Sequence, residues 1–374
     1  MIMTTEYVPT VIVGGGQAGL AMAYYLRQAG ERFVILEANA RVGDSWRHRW
    51  DSLRLFTTPK YSSLPGWRMK QTSFASHGEM ADYLEDYARH FELPVRTGTR
   101  VNRLFRRGDT FALQTSTGDL VADRVVVCSG GYQTPITPAF AADLDPSIRQ
   151  LHASDYRHPS QLEGAVLVVG AGNSGAEIAV EAARSGHPTW LSGRHPGQIP
   201  FRIDSAGAKL AVPVLMFLFR RVLTLNTPIG RKGYAKMNGH GKPLVRTKRE
   251  DLQAAGVTTL PRIEGIRDGR PVTADGDVVD PQTVVWCTGY RDDFGWIDLP
   301  GAVDDGGHPI HDRGVSPIPG MYFLGLEFQF AAASSTIQGL NQDARYLMQR
   351  LRPVIKSSRA RPDRDLVASG AGSR

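Results

Sequence analysis

The stretch TVIVGGGQAGLAMAYYLRQAG, residues 10–30, decides the fold. Thr10 to Val13 is a short apolar run rich in β-branched residues, a composition that favours a strand. Gly14, Gly16 and Gly19 follow in G-x-G-x-x-G spacing, and an Ala/Leu-rich helical pattern comes next. The order predicts strand, tight turn and helix in immediate succession. Gly14 permits the turn, Gly16 lets backbone N–H groups approach a pyrophosphate, and Gly19 lets the helix pack closely on the strand. An anion is then favoured at the positive helix N-terminus. The next apolar run, Arg32 to Leu36, ends in Glu37. A carboxylate at the tip of that second strand accepts hydrogen bonds from both hydroxyls of an unmodified adenosine ribose.

The pattern returns in AVLVVGAGNSGAEIAVEAARSG, residues 165–186, with Gly170, Gly172 and Gly175 in the same spacing. The strand-like run that follows, Pro188 to Ser192, is set against Ile35 to Glu37, and no acid closes it; Ser192 and Arg194 stand there instead. A carboxylate would repel a 2′-phosphate, whereas a hydroxyl and a guanidinium bind one. The first cradle (Gly14, Gly16, Gln17, Gly19, Glu37) therefore reads as an FAD site. The second (Gly170, Gly172, Asn173, Ser174, Gly175, Ser192, Arg194) reads as an NADPH site. A solvated Arg194 and a purely structural glycine turn are the plain alternatives.

Two further runs, VVVCSGGYQTP at 125–135 and VVWCTGY at 284–290, each carry an apolar strand into small residues and a glycine. A chain that passes close beneath a dinucleotide and then crosses between domains needs such a sequence, which brings in Ser129, Gly130, Thr288 and Gly289; a plain core strand ending in a turn is the alternative. The expected fold class is α/β, with two Rossmann-like dinucleotide-binding domains. Residues 1–160 and 291–374 form the FAD domain, and residues 161–290 form the NADPH domain inserted into it. Hinges are expected near Gln133 to Ser160 and just after Tyr290, and residues 357–374 are read as a disordered tail.

The 374 residues, 41% of them hydrophobic, suffice for two such domains. Two cysteines, Cys128 and Cys287, provide neither a C-x-x-C pair nor a zinc set. The formal charge is +7, but only 8 of the 44 basic residues are lysine and they form no long run. Cofactor phosphates rather than nucleic acid account for the surplus. The first ten residues lack a cationic start, which makes the cytoplasm the default. Leu210 to Phe219 is the most apolar stretch, yet it is about half a membrane span long and contains Pro213; it reads as a buried or lid helix. Residues 209–225 serve equally as a wall of the substrate entrance, as interdomain packing or as a homodimer contact.

Taken together, these motifs resemble the flavin-containing monooxygenases, specifically a small bacterial FAD- and NADPH-dependent branch similar to plant indole-pyruvate monooxygenases. The likeness spans most of the chain. It rests on GGGQAG with Glu37, on GDSWRHRWDSLRL at 43–55, on GAGNSG, on CTGY and on PGMYFLGLEFQF at 319–330. The resemblance implies that Gly43, Asp44, Ser45 and Trp46 lie along the flavin, and it adds Val101 and Glu327 to the cofactor set. It also implies that Phe323 to Glu327, with a helix from around Ser334, closes the site. The family fingerprint F-x-G-x-x-x-H-x-x-x-[YF]-[KR] survives only as His152, Tyr156 and Arg157, with Pro146 and Ile148 in place of Phe and Gly. The Tyr-Arg ending favours amine and sulfide oxidation over Baeyer-Villiger chemistry. After a strand-like Leu53 to Leu55, this chain reads Phe56, Thr57, Thr58 where the family often has asparagine.

The implied reaction is reduction of FAD by NADPH, formation of a C4a-(hydro)peroxyflavin with O2, and transfer of one oxygen atom to a small hydrophobic nucleophile. Trp46, Thr58 and Gln329 are the candidates for the catalytic lining, with packing as the alternative for each. No metal set and no catalytic triad is expected; His152, His195 and His308 read as loop or surface residues. A competing reading is an NADPH-dependent flavoprotein reductase or oxidase that passes electrons to a protein acceptor or to O2. A third is a cofactor-binding sensor.

Overall fold

A computed structural model describes residues 5–237 and 242–359. Two five-stranded sheets dominate it, and every neighbouring pair of strands in them is parallel. In the first, the order is Met321–Phe323, Arg124–Val127, Thr10–Val13, Phe33–Leu36, Val95–Arg96. In the second, it is Arg149–His152, Thr283–Trp286, Val166–Val169, Thr189–Ser192, Thr258–Leu260. The two orders correspond strand for strand, with a cradle strand at the centre of each. They differ only at one edge, where the first sheet takes a strand late in the chain and the second takes one that precedes its cradle.

Side chains alternate across the first sheet as a pleat requires. Ile12, Ile35, Val126 and Tyr322 face the helices Gln17–Gln28, His77–His90 and Ile337–Arg359, where they meet Leu20, Leu26, Leu84, Tyr87 and Leu347. Val11, Val13, Leu36, Val125 and Phe323 face the other way, onto Leu104, Phe111 and Phe294. Leu104 and Phe111 belong to an antiparallel hairpin, Val101–Arg107 with Thr110–Thr115. In the second sheet Val166, Val168, Leu191 and Val285 pack with Ile178 and Ala179 of the helix Asn173–Arg184. Burial on both faces is what gives these strands their uninterrupted apolar runs.

The chain crosses between the sheets after Cys128 and again after Cys287, and the crossings pair with each other. Thr134–Pro135 runs antiparallel to Tyr290–Arg291. A second tie is Arg246, whose guanidinium donates to the carbonyls of Arg54 (3.1 Å) and Leu55 (2.5 Å) and lies 4.0 Å from Glu177 on the Asn173–Arg184 helix. The expected strand at Leu53 to Leu55 is not formed: Arg54 makes only an isolated antiparallel bridge to Ser76, flanked by Leu55 N to Ala75 O (2.8 Å) and His77 N to Leu53 O (3.0 Å), while Arg246 takes the carbonyls of Arg54 and Leu55. The expected helix from Ser334 begins at Ile337. Ser334 Oγ accepts from the amides of Phe330 (3.1 Å) and Ala331 (3.0 Å), which keeps its turn outside the helix. The Ile337 helix continues through residues 357–359, the first three residues of the expected tail, and the rest of that tail lies outside the described residues.

Burial raises the Glu177 carboxyl from 4.5 to about 7, opposed only partly by Arg246. The folded chain therefore binds more protons here than the unfolded chain does, and this stabilising contribution declines as pH rises from 4.5 to about 7. Glu177→Gln removes that slope. Melting curves followed across this range should flatten, and above pH 7 the variant should melt about 3 °C higher than the parent.

Candidate active site

Each cradle is shaped by where a side chain cannot fit. A Cβ on Gly19 would lie 1.9 Å from the Gly14 carbonyl oxygen, and one on Gly175 would lie 1.8 Å from that of Gly170. Gly14 (φ 108°) and Gly170 (φ 115°) take left-handed turns, where a Cβ would strike the carbonyls of Cys128 and Cys287. Gly16 and Gly172 face open space, with nothing within 4 Å of an added Cβ. Each is the residue immediately before its helix, so the first backbone amides, which have no helical acceptor, open toward that space.

The cradles also share their backbone ties: Gly14 N donates to Leu36 O and Gly170 N to Ser192 O, both at 2.8 Å. That equivalence corrects the expected alignment. Ser192 corresponds to Leu36, and Gly193 corresponds to Glu37. Ser192 is accordingly 0% exposed, its hydroxyl donating to Pro261 O (2.7 Å) and accepting from Ile263 N (3.1 Å). It cannot meet a phosphate. Arg194 is exposed and makes no side-chain hydrogen bond or ion pair among the described residues. His195 lies beside it with Nε2 buried and unpartnered, and burial and nearby Arg249 hold its pKa below the usual value. Sequence reading missed Arg249, which lies 55 positions beyond Arg194 in the chain. Asn173 is also engaged, through Nδ2 to Pro243 O (3.1 Å) and Oδ1 from Val245 N (2.9 Å), while Ser174 is half-buried.

At the first cradle Glu37 accepts from Gly15 N (2.7 Å) and Asn39 N (2.8 Å), which fixes its carboxylate over the turn. Trp46 donates from Nε1 to Gln17 Oε1 (3.0 Å), so the 43–55 segment meets the start of the first helix. Gly43 approaches the Ala81 carbonyl, where a Cβ would lie at 2.5 Å. Asp44 is buried and accepts from Arg41 N (3.0 Å) and from Arg47 (3.1 Å), while Ser45 is exposed. Val101 opens the hairpin next to Thr99, whose amide donates to Glu37 O (2.8 Å). Ser129 and Gly130 are held by Gln133 (3.0 and 2.6 Å), and the Thr288 hydroxyl donates to Ile136 O. Gly289 O lies 3.2 Å from His152 Nε2.

The segment after Phe323 also reaches this cradle, since a Cβ on Gly325 would lie 3.1 Å from that of Ala18. Gln329 does not line the space. It is 0% exposed, and its Oε1 accepts from the amides of Gly325 (3.0 Å) and Leu326 (3.3 Å), so it shapes the turn. Glu327 points away, to Lys242 at 3.0 Å. Thr58 is half-buried ahead of the short helix Pro59–Ser62, and its hydroxyl makes no hydrogen bond among the described residues. His152, expected at the surface, ends a strand and is buried, with Nδ1 2.9 Å from Ser154 Oγ and Tyr290 edge-on to its ring. His308 is exposed.

Cys128 and Cys287 are both free, and burial raises both thiols, Cys287 to about 12. Neither is poised as a thiolate. Among the described residues no group of three or more His, Cys, Asp or Glu is placed to hold a metal ion, and no helix is long and apolar enough to cross a membrane.

Residues 11–201, just over half the chain, match the family model described as pyridine nucleotide-disulphide oxidoreductase, and the chain belongs to that family of enzymes. Among its relatives, an uncharacterised oxidoreductase of Geobacillus kaustophilus named CzcO-like is 40% identical across 91% of this chain and 97% of its own length. The probable indole-3-pyruvate monooxygenase YUCCA3 of Arabidopsis thaliana is 27% identical, covering 84% of this chain and 81% of that protein. A solved flavin-containing monooxygenase from Stenotrophomonas maltophilia superposes with a TM-score of 0.76 at 26% identity, over 94% of this chain and all of that one (100%). The family resemblance and the fold class expected from the motifs are borne out.

Because the Ser192 hydroxyl is internal, Ser192→Ala should lower unfolding stability by about 1–2 kcal/mol. Denaturant titration measures that loss.

Proposed function

We propose that the chain is an FAD- and NADPH-dependent monooxygenase acting on a small hydrophobic substrate with a soft nitrogen or sulfur centre. The observation that carries this reading is the pair of matched cradles, each with space over its middle glycine and each closed differently. Glu37 stands over the first turn, whereas Gly193 lies against the second, where a Cβ would be 2.9 Å from Ala171 N, and exposed Arg194 is the next residue in the chain. An acid suits an unmodified ribose; a bare position followed by a guanidinium suits a 2′-phosphate. On this reading the first sheet and its helices hold FAD and the second sheet and its helices hold NADPH; because Arg149–His152 pairs with Thr283–Trp286, the boundary expected at residue 160 moves ahead of Arg149.

Bound FAD, reduced by NADPH, would activate O2, one of whose atoms would go to the substrate and the other to water. The chain's own residues bind and exclude water. The first amides of the Gln17–Gln28 and Asn173–Arg184 helices neutralise the two pyrophosphates. Trp46, fixed by Gln17, and Thr58 are the proposed flavin-lining side chains, and Gln329 acts at one remove by holding the Gly325 turn. The unpaired thiols, Cys128 buried and Cys287 partly so, disfavour dithiol exchange.

Gly16→Val projects a side chain into the first cradle, where its Cβ has no described atom within 4 Å. The variant should fold, yet bind at least about tenfold less flavin, read from visible absorbance and circular dichroism. Arg194→Ala should raise KM for NADPH roughly tenfold and leave that for NADH nearly unchanged; equal effects on the two would remove the assignment of the second cradle. The decisive assay compares NADPH consumed with oxygenated product and with hydrogen peroxide across amine and sulfide substrates. Stoichiometric product supports the oxygenase, whereas peroxide alone, or reduction of a protein acceptor, supports the reductase reading.

A further inference from the structure

Six of the ten large hydrophobic side chains exposed among the described residues fall within residues 210–234: Leu210, Val214, Phe217, Leu218, Ile229 and Tyr234. Leu210 is 81% exposed, so the stretch expected to form a buried or lid helix turns one apolar side outward while Met216 stays buried. In the helix Ala208–Phe217, Leu210, Val214 and Phe217 recur at i, i+4 and i+7 and form one stripe, which Leu218 extends. A contiguous apolar stripe of this kind marks an interaction surface.

Charge identifies what covers it. Residues 205–249 contain ten of the 44 basic residues and none of the 37 acidic ones, so the rest of the chain is net acidic by three. Lys242 pairs with Glu327, and Arg246 and Lys248 bond backbone carbonyls. Lys209 and Arg221 are exposed just before and after the stripe in the chain, and Arg231 and Lys232 are exposed on the following helix, Pro228–Met237. The arm cannot fold away, because its inner side is tied down: Leu225 N donates to Phe330 O and Ala332 N to Leu223 O, both at 2.9 Å.

We propose that the outer face of residues 208–237 docks the protein on an anionic phospholipid surface. The stripe lies in the headgroup boundary and the flanking cations meet lipid phosphates. A ten-residue helix interrupted by Pro213 is too short to span. A two-fold contact with a second copy would set this cationic face against itself.

Sedimentation of the full-length holoprotein with vesicles tests the proposal. Equimolar phosphatidylcholine and phosphatidylglycerol vesicles should bind it at least about tenfold more tightly than phosphatidylcholine alone. The pair Leu210→Glu with Phe217→Glu, and separately Arg231→Glu with Lys232→Glu, should each weaken binding to the mixed vesicles about tenfold while leaving the melting temperature unchanged. Absence of binding to the mixed vesicles overturns the proposal, as does binding indifferent to both pairs. So does a wild-type dimer in sedimentation equilibrium that Leu210→Glu with Phe217→Glu makes monomeric.

Discussion

A helix can lie against the strand that feeds it only where nothing projects from their point of contact. Gly19 and Gly175 meet that condition, since a Cβ on either would collide with a carbonyl oxygen less than 2 Å away, and the rest of the architecture depends on the approach they permit. It aims the N-termini of two helices at the carboxyl ends of two sheets, so the unsatisfied amides of each helix and its aligned peptide dipoles converge where a diphosphate would lie. It also leaves room beneath each turn for the chain to pass at Cys128 and Cys287. The duplication extends to backbone bonds of equal length in both copies, whereas the side chains above the turns have diverged. A shared steric core with divergent rims is how one fold comes to discriminate between two related nucleotides.

What joins the copies is polar and partly buried. Arg246 holds the carbonyls of Arg54 and Leu55, lies over the rings of Phe56 and Phe74, and faces Glu177. Arg49 donates to the Tyr290 hydroxyl at 3.0 Å and stacks over Tyr132, so the 43–55 segment touches one crossing strand and the residue two positions ahead of the other. The segment that meets the first cradle through Trp46 is therefore the one that reaches furthest toward the second sheet. Any displacement between the sheets acts on the same loop that lines the first cradle.

The cradles were legible in the sequence because glycine spacing acts over a few residues, where sterics alone decide. Glu37 was legible for the same reason. Ser192 was misplaced by one position because its alignment depends on which carbonyl Gly170 N selects, a contact made across the sheet. Gln329, Asn173 and His152 have the composition of functional residues, but their polar atoms are occupied by partners that sequence does not reveal, such as Pro243 O for Asn173 and Gly289 O for His152. The apolar run after Lys209 has the composition of a core segment. Only the placement of its Leu, Val and Phe side chains distinguishes an outward stripe from an inward one. Arg246, Arg249 and Arg49 carry no local signal at all.

The antiparallel pairing of Thr134–Pro135 with Tyr290–Arg291 has a topological consequence. The chain leaves the first sheet and comes back to it through neighbouring strands, so more than a hundred residues can be interposed without separating the strands of the host. Acquisition of the second nucleotide unit by such a fold would require no rearrangement of the first, only a break in one connecting loop.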